Sequence, residues 1–308
     1  MSGLDDQVQA FVDYTLDFYP EHAVAASVKQ QRQWYDDLCA EFRTSRPPDL
    51  LVNDELVAGE DGHQVPVRTY AIGPQPSQQQ VLYCHGGGFV LGGLDSHDDV
   101  CAEIAHRCQV DVVSVDYRLA PEYHYPQDLN DGLAVLDKLL ARGHQVVLAG
   151  DSAGGAISAC MANKRLPVCG QGIVGQVLIY PSLAKDRTTA SMTKHANAPM
   201  LTVADMEYYM YMRTNGAPAP LTDPGFVAMA CTDFSALPPT YLFPAEVDPL
   251  CDDCAIYAQA LSMAGTPVTN HLALGQGLVH GYLRARNTSD QAKTNFAAIC
   301  ASISQLLA

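Results

Sequence analysis

A chain of 308 residues, 48% of them hydrophobic, is long enough for one substantial core, or one core and a smaller covering lobe. Its 18 basic against 34 acidic residues leave a net charge of −16, which opposes nucleic-acid binding and docking on anionic lipid, since both call for basic patches. No apolar run reaches bilayer-spanning length, and Asp5, Asp6, Asp13 and Asp17 stand where a secretory signal needs a basic lead and an apolar stretch, so a cytoplasmic protein with no membrane partner is expected.

Val8, Phe11, Val12, Leu16 and Tyr19 recur at about a 3.6-residue period until Pro20, which predicts a helix. A second helix is expected from about Ala23 to Phe42, with Trp34, Leu38 and Phe42 on one face and Pro47-Pro48 beyond its end. The texture changes at Leu50. Val52 to Val57 and Val65 to Ile72 flank the turn Glu60-Asp61-Gly62 and read as two antiparallel strands, and Pro74 to Gln80 reads as a polar loop. Strand and helix then alternate: Val81 to Cys84, a helix from about Ser96 to Cys108, Val110 to Tyr117, a helix from about Leu129 to Arg142, Val146 to Ala149, and a helix after Ser152. Further strands are expected at Val177 to Tyr180, Thr240 to Pro244 and Val268 to Leu274, with a helix from about Cys254 to Ala264 between the last two. Thr288-Ser-Asp-Gln291 fits a capping box at the head of a final helix. This alternation predicts an α/β fold with a mostly parallel sheet covered by helices on both faces.

Two stretches stand outside the rhythm, residues 1–46 and 183–224. The second holds Ala204 to Met212, dense in Tyr and Met, and then Pro218-Ala-Pro220. Such a stripe is either ordinary core packing or a cover over a site, in which case Met206, Tyr209 and Met210 line a substrate pocket. Ten cysteines are scattered along the chain, and the one close pair, Cys251 and Cys254, has no second pair and no histidines at ligand spacing. Reduced thiols are expected, with no metal.

The chemistry gathers at three places. Gly150-Asp-Ser152-Ala-Gly154 follows the strand Val146 to Ala149 and precedes a run of good helix formers. A strand that turns sharply into a helix leaves no room for side chains at the glycines and exposes the serine between them, at a helix N-terminus that favours negative charge. His85-Gly86-Gly87-Gly88-Phe89 follows the strand before it, and a backbone without side chains lets a substrate carbonyl approach N–H donors closely. A serine nucleophile also needs a base and an orienting acid, which in this kind of fold follow it in the order acid, histidine. Asp248 lies just past the strand Thr240 to Pro244, and His280 lies in a glycine-containing loop after the last strand.

These blocks, with Leu94-Asp-Ser-His97-Asp98, Asp116-Tyr-Arg-Leu-Ala-Pro-Glu122, Asp248-Pro-Leu250 and His280-Gly281, resemble the hormone-sensitive-lipase-like branch (bacterial family IV) of the α/β-hydrolases. The resemblance runs from about residue 81 to 282. It implies an α/β-hydrolase core over 47–182 and 225–308, with 1–46 and 183–224 forming a helical cap. It implies a serine carboxylesterase acting on fairly small, uncharged esters of short- to medium-chain acids, without cofactor or metal. Ser152 is then the nucleophile, His280 the base and Asp248 the orienting acid. Gly87, Gly88 and Ala153 supply the oxyanion hole, and Phe89 either lines the pocket or packs in the core. Pairing into a homodimer through the edge strand Val268 to Leu274 is a further implication. One departure is Glu246, where the family has Gly two residues before the acid; it either substitutes for Asp248 or faces solvent. Two rival readings are an amidase or deacetylase with the same triad, and a ligand-binding receptor on the same scaffold, which would lack the histidine.

Overall fold

The computed structural model describes residues 4–166, 171–185 and 187–308. Helices α1 (Asp6–Leu16) and α2 (Val28–Phe42) precede an eight-stranded sheet of β1 (Leu51–Ala58), β2 (Gln64–Ala71), β3 (Gln79–Cys84), β4 (Asp111–Val115), β5 (Gln145–Asp151), β6 (Ile173–Ile179), β7 (Thr240–Phe243) and β8 (Val268–Asn270). Between strands run α3 (Asp98–Cys108), α4 (Gln127–Ala141), α5 (Ala153–Lys164), α6 (Ala190–Lys194), α7 (Val203–Thr214) and α8 (Cys251–Met263), and α9 (Asp290–Leu306) follows the last strand. The order across the sheet is β1-β2-β4-β3-β5-β6-β7-β8. The pairs β1–β2 and β2–β4 are antiparallel and all later neighbours are parallel.

Side chains alternate across the sheet, so each buried strand feeds two cores. Val81, Tyr83, Val147 and Ala149 face one side, covered by Ile104 of α3 and Phe296 and Ile299 of α9. Leu82, Cys84 and Leu148 face the other, covered by Leu136 of α4 and Ile157 and Met161 of α5. A strand buried on both faces reads as a continuous apolar run, which is why Val146 to Ala149 is visible in the sequence.

The structure departs from the sequence expectation at element ends. Residues 23–25 form only a 3₁₀ turn, and α2 begins after Ser27, whose side chain accepts from Gln30 N at 3.3 Å. The polar stretch before Val81 is partly strand, because Gln79 and Gln80 already pair with Gln145 and Val146. Helix α8 starts at Cys251, before Cys254. The last strand ends at Asn270, since the chain turns into a 3₁₀ segment over Leu272–Gly275. The final helix is capped by Ser289, accepting from Ala292 N at 3.3 Å, while the Thr288 hydroxyl turns back to donate to Ala285 O at 3.3 Å.

The two segments outside the α/β rhythm meet. Gln31 Nε2 of α2 donates to the Tyr208 hydroxyl of α7 at 2.8 Å, and the Tyr19 and Tyr209 hydroxyls lie 3.4 Å apart. Helix α1 is tied to the sheet as well, with Val8, Phe11 and Val12 packed in the layer of α3 and α9. The nine described cysteines are free, and Cys169 lies outside the described residues. No helix among the described residues is long and apolar enough to cross a membrane.

Candidate active site

β5 ends at Asp151 and α5 begins at Ala153, so one residue makes the whole turn. Ser152 does so at φ 53° and ψ −118°, a conformation that costs a side-chain-bearing residue about 1–3 kcal/mol, and its N–H is held by Ile179 O at 2.9 Å. The flanking glycines answer to close backbone approach. A Cβ on Gly150 would stand 2.6 Å from the Cys84 carbonyl oxygen, and one on Gly154 only 2.0 Å from it. The end of β3 can therefore lie against the turn, and Ser152 Oγ is presented at the carboxyl end of the sheet.

His280 and Asp248 are brought together by strand pairing that outlasts the regular sheet. Val247 and Val279 form one further parallel bridge, with Val247 N donating to Leu278 O at 3.0 Å. The residues that follow them are thus side by side. His280 Nδ1 lies 2.6 Å from Asp248 Oδ2, and its Nε2 lies 2.8 Å from Ser152 Oγ. Asp248 is fully buried, and its other oxygen accepts from Leu250 N at 2.9 Å. With Nδ1–H donating to the carboxylate, Nε2 is the acceptor that faces the hydroxyl. Glu246 turns elsewhere. Its Oε2 accepts the Gly277 N–H at 2.8 Å, and its own N–H donates to Gly275 O at 3.0 Å, so it braces the loop that carries His280. It neither reaches His280 as a substitute acid nor simply faces solvent.

Across from the triad, residues 85–88 follow β3. Gly88 adopts φ 61°, and a Cβ there would strike the Tyr209 ring of α7 at 2.5 Å. Ala153 opens α5, where the first N–H groups have no acceptor within the helix. Asp151 ties loop and turn together. Its carboxylate accepts from Gly86 N and the Tyr83 hydroxyl, each at 2.9 Å, and from the Tyr180 hydroxyl at 3.3 Å, with His97 Nε2 at 3.2 Å. Burial opposes its charge, but His97 and the Tyr83 hydroxyl outweigh that and hold its pKa well below the usual carboxylate range. His85 is a prop. It stacks on Tyr117 at 4.3 Å, its backbone oxygen accepts from the Tyr117 hydroxyl at 2.7 Å, and burial pushes its pKa down to about 3, so it stays neutral. The segment 116–122 is braced in turn by Arg118 with Asp131 at 2.8 Å and by Glu122 with Arg32 of α2 at 2.7 Å.

A cavity of about 560 Å³ opens on Ser152, Gly87, Gly88 and His280. Of the four expected pocket residues, only Tyr209 lines it. Phe89 is 6% exposed and lies under the Arg213 guanidinium, 3.9 Å from its ring centroid, with Arg213 Nε held by Asp128 at 2.7 Å. Met206 packs with Met192, Leu201 and Leu250, and Met210 with Phe226 and Val227. A helix turns about 100° per residue, so with Tyr209 over the site its neighbours at 206 and 210 point to the flanks. The rest of the lining includes Tyr19, which the helical periodicity marks only as an apolar-face residue, and Tyr35, Asn197, Met200 and Arg284, which carry no motif or periodicity that would have singled them out.

A mostly parallel sheet with a strand–serine–helix turn, and an acid and a histidine delivered from later loops, defines the α/β-hydrolase class. A family model described as alpha/beta hydrolase fold matches residues 81–284. Esterase LipI of Mycobacterium tuberculosis is 39% identical over 251 residues, covering 77% of this chain and 76% of that protein. Ethyl acetate hydrolase of Pseudomonas putida is 29% identical over 302 residues, covering 94% and 92%. The structure of a hyperthermophilic esterase from the archaeon Pyrobaculum calidifontis matches with a TM-score of 0.85 at 28% identity, covering 99% of each chain. The chain belongs to the α/β-hydrolase family, as a carboxylesterase of its hormone-sensitive-lipase-like branch.

Proposed function

We propose that the protein hydrolyses esters of short- to medium-chain acids through an acyl-enzyme on Ser152. The observation that carries this reading is the unbroken run Asp248, His280, Ser152, at 2.6 and 2.8 Å, opening on a cavity of about 560 Å³. His280 Nε2 takes the hydroxyl proton as Oγ attacks the ester carbonyl, while Asp248 holds the ring and stabilises the imidazolium. The N–H groups of Gly87, Gly88 and Ala153 receive the oxyanion, each worth roughly 3 kcal/mol. The imidazolium then protonates the departing alcohol. Water activated by His280 releases the acid, and no step draws on a metal or cofactor. A receptor on this scaffold would have no use for a histidine held in that position.

The cavity is of the size that encloses a small ligand, and one relative is named for hydrolysis of ethyl acetate. The contact of α2 with α7 supports reading 1–46 and 183–224 as one cap over a core of 47–182 and 225–308. The buried free thiols suit a reducing cytoplasm, and the net charge of −16 suits a protein without nucleic-acid or membrane partners. Strand β8 is the last in the sheet and leaves one side unpaired, which supports a homodimer by edge pairing. Sedimentation should then show a concentration-dependent dimer, and a monomer at every concentration overturns that part.

The test of the reading is hydrolysis of p-nitrophenyl esters from acetyl to palmitoyl. Turnover should fall beyond medium chains and vanish in Ser152→Ala. A folded wild-type protein inactive at every length overturns it, and faster cleavage of a matched amide would make it an amidase.

A further inference from the structure

Among the described residues, the arginines without a carboxylate partner are Arg43, Arg142 and Arg187, all exposed, and Arg284, which is not. The other arginines withdrawn from solvent are all neutralised. Arg118 has Asp131 at 2.8 Å, Arg213 has Asp128 at 2.7 Å, Arg68 has Asp98 at 3.0 Å, and Arg286 has Asp99 and Glu103. Arg284 Nη1 donates to the Ser96 carbonyl oxygen at 3.1 Å and Nη2 to the Tyr35 hydroxyl at 2.9 Å, with the guanidinium 5.1 Å from the Tyr35 ring centroid. These partners orient it and bring no negative charge.

Arg284 lines the same cavity as Ser152. None of the acids that share this cavity makes a hydrogen bond to Arg284. Asp151 accepts from Gly86, Tyr83 and Tyr180 and faces His97, Asp205 accepts from Thr202 N and Oγ1 at 2.9 and 2.7 Å, and Glu21 is exposed. The negative charge on Asp151 favours the half-buried guanidinium through space, but no carboxylate among the described residues hydrogen-bonds to it, so its fork has none of the ion pairs that the other buried arginines make. Its planar fork matches a carboxylate through paired hydrogen bonds.

We propose that Arg284 receives a carboxylate carried by the substrate, so that the favoured esters are half-esters of dicarboxylic acids or esters of carboxylate-bearing alcohols. This rests on Ser152 as the nucleophile and replaces the expectation of uncharged substrates. The overall charge of −16 repels anions at long range, so the selectivity is set inside the cavity.

Two matched pairs test it and locate the carboxylate. Mono-p-nitrophenyl glutarate against p-nitrophenyl valerate reads the acyl side, and acetoxybenzoate against phenyl acetate reads the alcohol side. In one pair the wild type should favour the anionic ester by about 10-fold or more in kcat/KM, and Arg284→Gln should lower that ratio by about 10- to 100-fold. A role confined to bracing Tyr35 would lower both members of a pair alike and leave the ratio fixed, which overturns the proposal. Preference of the wild type for the neutral ester in both pairs overturns it too, and needs no variant. An Arg284→Gln variant inactive on neutral and anionic esters alike overturns the proposal, whereas a folded wild type inactive on every ester counts against the esterase reading itself. Calorimetry with glutarate and benzoate then decides the carboxylate site: binding that Arg284→Gln abolishes supports it, and no binding to wild type sinks it.

Discussion

Replacing His280 by alanine is expected to lower kcat/KM for p-nitrophenyl butyrate by about 10⁴- to 10⁶-fold while the protein stays folded. Among the described residues no other side chain makes a hydrogen bond to Ser152 Oγ, so the variant has no base to take the proton. What remains is binding and the oxyanion donors, about 10³- to 10⁴-fold over water. The fold should survive, because Asp248 keeps its bond from Leu250 N and water from the cavity can enter the space of the ring. Asp248→Asn should follow at about 10⁴-fold, since an amide no longer fixes the tautomer that leaves Nε2 free to accept. Glu246→Gln should cost less than about 10-fold, as the amide oxygen can still accept from Gly277 N. Near-normal turnover in His280→Ala removes the assignment. A larger loss in Glu246→Gln than in Asp248→Asn makes Glu246 the orienting acid. Circular dichroism and urea unfolding on each variant separate lost chemistry from lost structure.

The proposed triad is legible in the sequence because the geometry it needs restricts residue types along the chain. A one-residue turn between β5 and α5 excludes side chains at 150 and 154, and that leaves a pattern. The acid and the base are each announced by a strand and their order. Element ends are set otherwise, by hydrogen bonds and turns that residue type does not announce. Thr288 fits a capping box locally, yet its hydroxyl donates to Ala285 O and Ser289 caps instead. The strand at Val268 ends at Asn270, although the residues after it are apolar enough to continue.

The pocket was the least legible part, because a side chain's direction depends on the rotation of its helix. Tyr209 and Met210 are adjacent in sequence, but one reaches the cavity and the other packs on Phe226. Arg284 and Arg286 show the same limit more sharply. Nothing in Tyr282-Leu-Arg-Ala-Arg286 distinguishes them, yet Arg286 finds Asp99 and Glu103 while Arg284 faces the cavity without a carboxylate.

Gly154→Ala is expected to destabilise the protein by about 3 kcal/mol and to lower kcat/KM by about 10²-fold in whatever folds. Propensity argues the opposite way, since alanine inside a helix is favoured over glycine by about 1 kcal/mol. The surroundings decide the sign. The added Cβ would stand 2.0 Å from Cys84 O and 2.5 Å from both Cys84 C and His85 O. All three are backbone atoms of a buried strand end, and none can rotate aside. Relief requires β3 to move away from α5, and that displaces residues 85–88 relative to Ser152. Gly132→Ala in α4 is the control. There the nearest atom is Met161 Sδ at 2.8 Å, in a flexible side chain that can shift, so the same substitution should be mild in stability and neutral in rate. Urea midpoints for the two variants read the contrast directly. Equal midpoints would mean that the approach of β3 to α5 is looser than the distances require, and the steric account of the serine turn would fall with it.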